Sequence, residues 1–287
     1  SCKIAQTFDV EVYESGENCG YSFGHNYNLT HRKFETVLLL NADVILESNY
    51  LEKLLEALSE VDRAGMAGGK LYRMNQQGDP ILERGCRVLD STGIYFTPSQ
   101  RHLDRGGGER DSGLYNRRQS VFGITGAAVL CRKEMLDDLC FDGEYLDEDF
   151  FAYREDADLA WRAQLRGWRA IYEPEALAFH HRNVLPARRH QNSPLINYHS
   201  LKNRYLMRMK NMDWRVRKKC FPHMWIRDIG ILVYVLLWEW SSLSAFCEVW
   251  RLRAKFRTKR RQIQIRRNST SDEIARWFSF TPEAEDS

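Results

Sequence analysis

The chain has 287 residues, 43% of them hydrophobic and 28% charged, which excludes intrinsic disorder, a collagen-like repeat and a disulfide-stapled miniprotein. The formal charge is only +3, so no whole-molecule field selects a nucleic acid. Seven cysteines, at 2, 19, 86, 131, 140, 220 and 247, form no CxxC pair, which argues against zinc or a disulfide framework and fits a reducing cytosol.

In chain order, alternation over Thr7–Tyr13 predicts a short strand, and no apolar signal segment precedes it. Glu17–Asn28, ENCGYSFGHNYN, reads as a Gly/Asn-rich loop running into a helix. Thr36–Leu40, TVLLL, is a continuous apolar run of the kind found in a strand covered on both faces, and it ends in Asn41-Ala42-Asp43. Ser48 is placed to cap a helix whose Leu51, Leu54, Leu55 and Leu58 share a face, and a strand follows near Gly65–Tyr72. Strand, helix and strand in this order predict a βαβ unit in an α/β fold with a parallel sheet.

Residues 78–120 read as excursions at the sheet edge, and Ser120–Arg132 as another buried strand. Glu155–Gly167 predicts a helix with acids in its first turn, an Asp158/Arg162 pair and Gly167 as its stop. Trp168–His181 supplies one or two short strands. From about Asn192 the chain turns helical: Pro194–Asn211, Pro222 to about Arg266, and a last helix from a Ser271/Asp272 cap to near Trp277.

Three places carry chemistry. Asp43 lies two residues past a strand, where open α/β sheets bind ligands, and such a carboxylate can hold Mg²⁺ or Mn²⁺ against phosphates. An Asp there is also an ordinary turn residue. Asp147–Arg162 places six carboxylates within twelve residues, among Phe150, Phe151, Tyr153 and Trp161. Acids drawn into apolar surroundings need a cation, a metal or a proton-transfer role, although acids at a helix start also serve its dipole. His180 and His181 end a strand-like run, where packing and metal ligation are both open.

Ile229–Cys247 approaches the length of a membrane span, but Glu239 lies near its centre and three serines weaken its second half. Trp225, Trp238, Trp240 and Trp250 suit an interface. Residues 251–267 carry nine Lys/Arg and no acid, which leaves the remaining chain at −6. Residues 225–267 therefore predict a helix lying on an anionic membrane surface, with packing against the preceding α/β domain or a true span as alternatives. The basic run contains no nucleic-acid reading module.

Together, ENCGYSFGHNYN, LLLNADVILESNYLEKLL, VFGITGAAVLCRKEML, YLDEDFFAYREDADLAWRAQLRGW and YEPEALAFHH resemble bacterial inverting glycosyltransferases of family 2 with the GT-A fold. The rhamnosyltransferase-like branch that builds cell-surface polysaccharide is the most similar, and the tail RTKRRQIQIRRNSTSDEIARWF shares the likeness. The resemblance implies a Rossmann-like, mostly parallel sheet flanked by helices over residues 1–191, with a helical extension over 192–287. It assigns Asp43 and His180 to a Mg²⁺ or Mn²⁺ site and Asp156, with Glu155 beside it, to the catalytic base. Asn18, Gly20 and Asn41 fall in donor-binding segments, and Gly126 and Ala127 lie near the acceptor. Asn41 stands where many members have Asp. The family's first βα unit has no counterpart before Thr7, so the chain is expected to be truncated at its N-terminus. The implied activity moves a sugar from a nucleotide-sugar donor, dTDP-rhamnose being one candidate, to a glycan or lipid-linked acceptor. The expected location is the cytoplasmic face of a bacterial plasma membrane. A sugar nucleotidyltransferase and a non-catalytic membrane-bound scaffold are the rivals.

Overall fold

The computed structural model describes residues 2–182, 192–282 and 285–286. One helical turn, α1 (Cys2–Ala5), leads through irregular chain to α2 (Tyr21–His31), β1 (Thr36–Leu40), β2 (Val44–Leu46), α3 (Tyr50–Glu60) and β3 (Ala64–Arg73). Five short strands follow: β4 (Leu82–Glu83), β5 (Cys86–Arg87), β6 (Leu89–Ser91), β7 (Ile94–Phe96) and β8 (His102–Asp104). The N-terminal α/β part closes with β9 (Gln119–Val121), β10 (Ala128–Arg132), α4 (Lys133–Leu139), α5 (Glu155–Arg166) and β11 (Arg169–His180). The C-terminal region holds α6 (Pro194–Asn211), α7 (Trp214–Trp238), α8 (Leu243–Ile265), α9 (Ser271–Arg276) and β12 (Glu285–Asp286).

The main sheet runs β1-β10-β3-β11-β9-β12, with β2 added to β11 and β6 to β3. β3 and β11 pair in parallel, and β10 runs antiparallel between β1 and β3, so those two strands share a direction. The fold is thus α/β with a mixed central sheet, its helices on both faces. Alternation along the strands makes the layers. Ala128 and Leu130 of β10 pack with Tyr50, Leu54 and Leu58 of α3, while Val129 and Cys131 face the larger core around Phe122, Trp161 and Phe278. Fully burying a leucine or phenylalanine in such a layer stabilises the fold by roughly 1.5–3 kcal/mol. The larger core also takes in Leu206, Met207, Met212 and Phe256, so the residues before and after 192 share one interior.

Several local expectations change. Thr7–Tyr13 forms turn and irregular chain, because no strand among the described residues lies alongside to take its backbone bonds. β1 is an edge strand with β10 as its partner and Leu40 39% exposed, so its apolar run is covered less than its composition implies. Asn49, not Ser48, precedes α3, and Leu51 and Leu55 point outward while Tyr50 and Ala57 join Leu54 and Leu58 inside. Ser120–Arg132 divides into β9 and β10, separated by a turn that serves the cleft described below. Pro222 lies inside α7 instead of starting it, and the last helix is capped by Thr270, whose side chain and Glu273 form a capping box.

The predicted apolar stretch Ile229–Cys247 is also broken. α7 ends at Trp238, and Glu239, 8% exposed, accepts from the Asn197 side chain at 3.2 Å and the Ser242 hydroxyl at 2.5 Å. Its charge is held by polar partners at a helix–helix corner, so a single helix does not continue through it. Among the described residues one helix, Trp214–Trp238, is long and apolar enough to cross a membrane by length and composition, with only 17% of its most apolar window buried. Several of the basic residues after it turn inward. Lys255 and Lys259 pair with Asp149, and Arg260, Arg266 and Arg267 bond to Met212, Asp138 and Asp213.

Candidate active site

A cleft of about 540 Å³ opens over the ends of β1, β10 and β11. Asn41, Asp43, Gly126, Ala127, Glu155, Asp156 and His180 all line it, although they are drawn from four separate stretches of sequence. Strand register explains the first convergence. β2 pairs antiparallel with β11 so that Val44 faces His180, and the His181 N–H donates to the Asp43 carbonyl at 2.9 Å. The side chains of Asp43 and His180 then meet, with Oδ1 and Nε2 3.4 Å apart.

Behind His180 stands Asp90, 0% exposed, whose Oδ2 lies 2.7 Å from His180 Nδ1. Burial alone would raise the Asp90 carboxyl, but the His180 hydrogen bond and the Arg182 guanidinium hold it below the usual carboxylate range. Arg182 also bonds Asp104 at 2.7 Å. An ionised Asp90 fixes the tautomer of His180, drawing the proton to Nδ1 and leaving the Nε2 lone pair toward Asp43. A carboxylate oxygen and an imidazole lone pair aimed at each other suit a divalent cation such as Mn²⁺ or Mg²⁺ between them. Asp43 and His180 are two such donors. Among the described residues no group of three His, Cys, Asp or Glu side chains is arranged to hold a metal by itself, so oxygens of a ligand would have to complete the coordination.

The opposite wall is the start of α5. Asp156 Oδ2 accepts from the Gly126 N–H at 3.0 Å and Oδ1 from the Ala157 N–H at 2.7 Å, which sets the carboxylate's orientation. Gly126 is tight there: a Cβ would sit 3.2 Å from Asp156 Cβ and 3.4 Å from the Tyr21 hydroxyl. Tyr21 donates to the Gly126 carbonyl at 3.0 Å, and burial next to Glu155 and Asp156 pushes its phenol up. Glu155 has a buried Oε2 without a hydrogen-bond partner; burial and the adjacent Asp156 push its carboxyl up to about 8.

The loop before α5 is strained. Phe151, Tyr153 and Arg154 all have positive φ, of 66°, 73° and 73°. Each such residue costs on the order of 1–3 kcal/mol and persists only where its surroundings hold it. α6 supplies the hold. Asn203 Nδ2 donates to the carbonyls of Phe150, Ala152 and Tyr153 at 2.8–2.9 Å, and Arg154 Nε donates to the Ser200 carbonyl at 2.9 Å. The C-terminal helices are therefore part of the site's scaffold.

Asn18 and Gly20 depart from expectation, since neither lines the cleft. Asn18 Oδ1 accepts from the Gly20 N–H at 3.1 Å, and Gly20, at φ 89°, packs so closely under Phe151 that a Cβ would lie 2.6 Å from its carbonyl oxygen. They support the strained loop from behind. Sequence reading missed Asp90, Tyr21, Arg182 and Asn203. Asp90 sits in LDSTG, which reads as a plain turn, and a lone Asn within a helix carries no signal.

The profile of "Glycosyltransferase like family 2" matches residues 4–206. A curated relative, the "Uncharacterized protein y4gI" of Sinorhizobium fredii (strain NBRC 101917 / NGR234), is 24% identical over 189 residues, 64% of this chain. The match spans only 19% of that relative's own length. Among solved structures, GalNAc-T7 with UDP, GalNAc and Mn²⁺ aligns over 91% of this chain and 45% of its own, with 14% identity and a TM-score of 0.52, a likeness of fold. The mannosyltransferase PcManGT from Pyrobaculum calidifontis, in complex with GDP-Man and Mn²⁺, covers 92% of this chain and 70% of its own at 14% identity and a TM-score of 0.42.

Proposed function

The chain belongs to glycosyltransferase like family 2, and from that premise we propose that it transfers a sugar from a nucleotide-sugar donor to an acceptor hydroxyl, inverting the anomeric centre. The observation that carries this reading is the single cleft between Asp43 with His180 on one wall and Asp156 with Glu155 on the other. A divalent cation on the first pair would supply positive charge to the donor diphosphate, making it a better leaving group. Asp156, turned by its two backbone N–H bonds, takes the proton of the acceptor hydroxyl. The acceptor oxygen bonds to the anomeric carbon as the bond to the diphosphate breaks on the opposite face. Glu155, carrying its proton near neutral pH, adds no second negative charge beside the base. Among candidate donors, dTDP-rhamnose is favoured by the sequence resemblance alone.

The reading places the enzyme on an anionic cytoplasmic membrane surface, as a maker of cell-surface glycan. Support comes from the outer face of α7, where Trp225, Ile226, Ile229, Leu232, Leu236 and Trp238 are 45–72% exposed. Flotation with vesicles containing phosphatidylglycerol should carry the chain upward, and Leu232→Glu with Leu236→Glu should leave it at the bottom. Equal flotation of both proteins would remove this face of α7 from the attachment, and flotation of neither would remove the membrane from the account.

The activity is tested by incubating the chain with Mn²⁺ and, in turn, UDP-glucose, dTDP-rhamnose or GDP-mannose. Release of nucleoside diphosphate, lost in Asp156→Asn, is the expected result. Release of pyrophosphate from a nucleoside triphosphate and a sugar 1-phosphate, with no diphosphate released from the nucleotide sugars, would instead identify a nucleotidyltransferase.

A further inference from the structure

A third side of the cleft is the hairpin of β7 and β8, whose register pairs Phe96 with His102 and Ile94 with Asp104. Partners across an antiparallel pair share a face, as do residues two apart on one strand. His102 and Asp104 therefore lie on the side of Phe96 and Ile94, which are buried in the core, and both line the cleft. Asp104 accepts from Arg182 at 2.7 Å, and Arg182 also bonds Asp90 behind His180. His102, at the other end of β8, lies against Arg154 at the start of α5. β8 thus bridges the wall of Asp43 and His180 to the wall of Asp156, with His102 at the end nearer the base.

Arg154 decides what His102 can do. Its Nη1 lies 2.6 Å from His102 Nδ1. A guanidinium only donates, so Nδ1 accepts and the one proton of a neutral ring sits on Nε2. Burial, with the charges of Arg154, Arg204, Arg182 and Arg101 around it, pushes the imidazole well below its ordinary range and keeps the ring neutral. His180 is set the opposite way, its Nδ1 facing the Asp90 carboxylate at 2.7 Å. One histidine of the cleft thus offers a lone pair and the other an N–H. Among the described residues nothing accepts from His102 Nε2. Both members of the pair are fixed from α6. Arg204 donates to the Ser99 and Gln100 carbonyls at 2.7 and 2.9 Å, which pins the hairpin tip where Gln100 has φ 60°. Arg154 donates to the Ser200 carbonyl at 2.9 Å.

We infer that His102 is a specificity-determining residue: its Nε2–H donates to a hydroxyl oxygen of the sugar carried by the nucleotide donor, held between the diphosphate wall and the proton-accepting wall. The inference rests on the transferase reading and deepens it by naming a contact to the transferred sugar. An anionic phosphate calls for a cation, whereas a neutral N–H of fixed direction suits a hydroxyl, meeting its lone pair without adding charge beside Asp156. Such a donor reads both the presence and the orientation of that hydroxyl, because a sugar lacking it leaves the N–H covered and unpaired.

The first test needs no ligand. Long-range proton–nitrogen correlation spectra of the whole chain at pH 6, with the His102 signals assigned by their loss in His102→Phe, should show a neutral ring protonated on Nε2. A charged ring, or a proton on Nδ1, would overturn the inference whatever the chain binds. The second test is calorimetric titration, with Mn²⁺ present, of UDP-glucose, dTDP-rhamnose and GDP-mannose, each beside its own nucleoside diphosphate. His102→Phe should weaken the best-bound nucleotide sugar by about three- to tenfold, the worth of one neutral hydrogen bond, and leave its nucleoside diphosphate unchanged. His102→Gln, which keeps an N–H donor, should recover most of that loss. Nucleotide-sugar binding that His102→Phe leaves unchanged, or that falls equally with the diphosphate, would overturn the role of His102 and leave the transferase reading standing. A native chain that binds neither nucleotide sugars nor diphosphates would sink the transferase reading, and this contact with it, even with the expected tautomer.

Discussion

Six carboxylates crowd the stretch from Asp147 to Asp158, and they meet two different fates. On the side away from the cleft, Asp147 and Asp158 share the buried Lys210, Lys259 joins Asp147 to Asp149, and Arg162 bonds Asp158 at 2.9 Å. Glu148 accepts from the Asn26 side chain at 2.9 Å. On the cleft side, no ion pair among the described residues involves Glu155 or Asp156. Burial alone would raise the Asp147 carboxyl, but Lys210 and Lys259 outweigh it and hold it far below the usual carboxylate range, whereas burial without a cation pushes Glu155 up. The same residue type thus serves as structure where its charge is cancelled and remains available for chemistry where it is not.

The largest expected effect comes from the cleft side. Asp156→Asn keeps the shape and removes the base, so turnover should fall by about 10²–10⁴-fold with the melting temperature unchanged. A comparable loss of folding stability would place Asp156 among the structural acids. On the far side the pattern should invert. Lys210→Met strands Asp147 and Asp158 and should cost about 3 kcal/mol of stability in a denaturant titration, since a broken buried pair leaves uncompensated charge. A fully stable variant would show that Lys259 and Arg162 neutralise the cluster without Lys210.

Asp90→Asn tests a smaller term, the hold on His180. Loss of this carboxylate partner should weaken Mn²⁺-dependent nucleotide binding by about 10–100-fold while leaving metal-free binding alone. The most gradual effect, small at each step of pH, is on stability against pH. Between pH 4.5 and about 8 the folded chain keeps a proton on Glu155 that the unfolded chain has released. Stability should therefore fall as pH rises through that window, with a slope of up to about 1.4 kcal/mol per pH unit. Glu155→Gln should remove this slope, and melting curves that stay parallel for the two proteins from pH 5 to 8 would contradict the assignment.

What could be read from sequence was local. α5, with its acidic first turn, its Asp158–Arg162 bond and its Gly167 stop, and α6, whose Ser193 hydroxyl accepts from the Ile196 N–H ahead of a proline at the first helical position, follow from short-range chemistry. Asp43, His180, Glu155 and Asp156 could each be singled out, yet nothing in their spacing gives the β2–β11 register that brings the first two within 3.4 Å. Nor could spacing sort the six acids, because Lys210 and Lys259 come from helices 50 or more residues away. Long-range compensation also explains Glu239, which interrupts an apolar stretch in sequence but in the fold meets Asn197 and Ser242. Several residues of the basic tail likewise find carboxylates and carbonyls that composition does not reveal.

The most direct test of the cleft is calorimetric titration of UDP, dTDP and GDP into the purified chain with and without Mn²⁺, repeated for Asp43→Ala and Asp156→Asn. The account predicts Mn²⁺-dependent binding of a nucleoside diphosphate that Asp43→Ala abolishes and Asp156→Asn retains. Binding that ignores Mn²⁺, or that both substitutions weaken equally, would contradict the division of the cleft into a diphosphate wall and a proton-accepting wall.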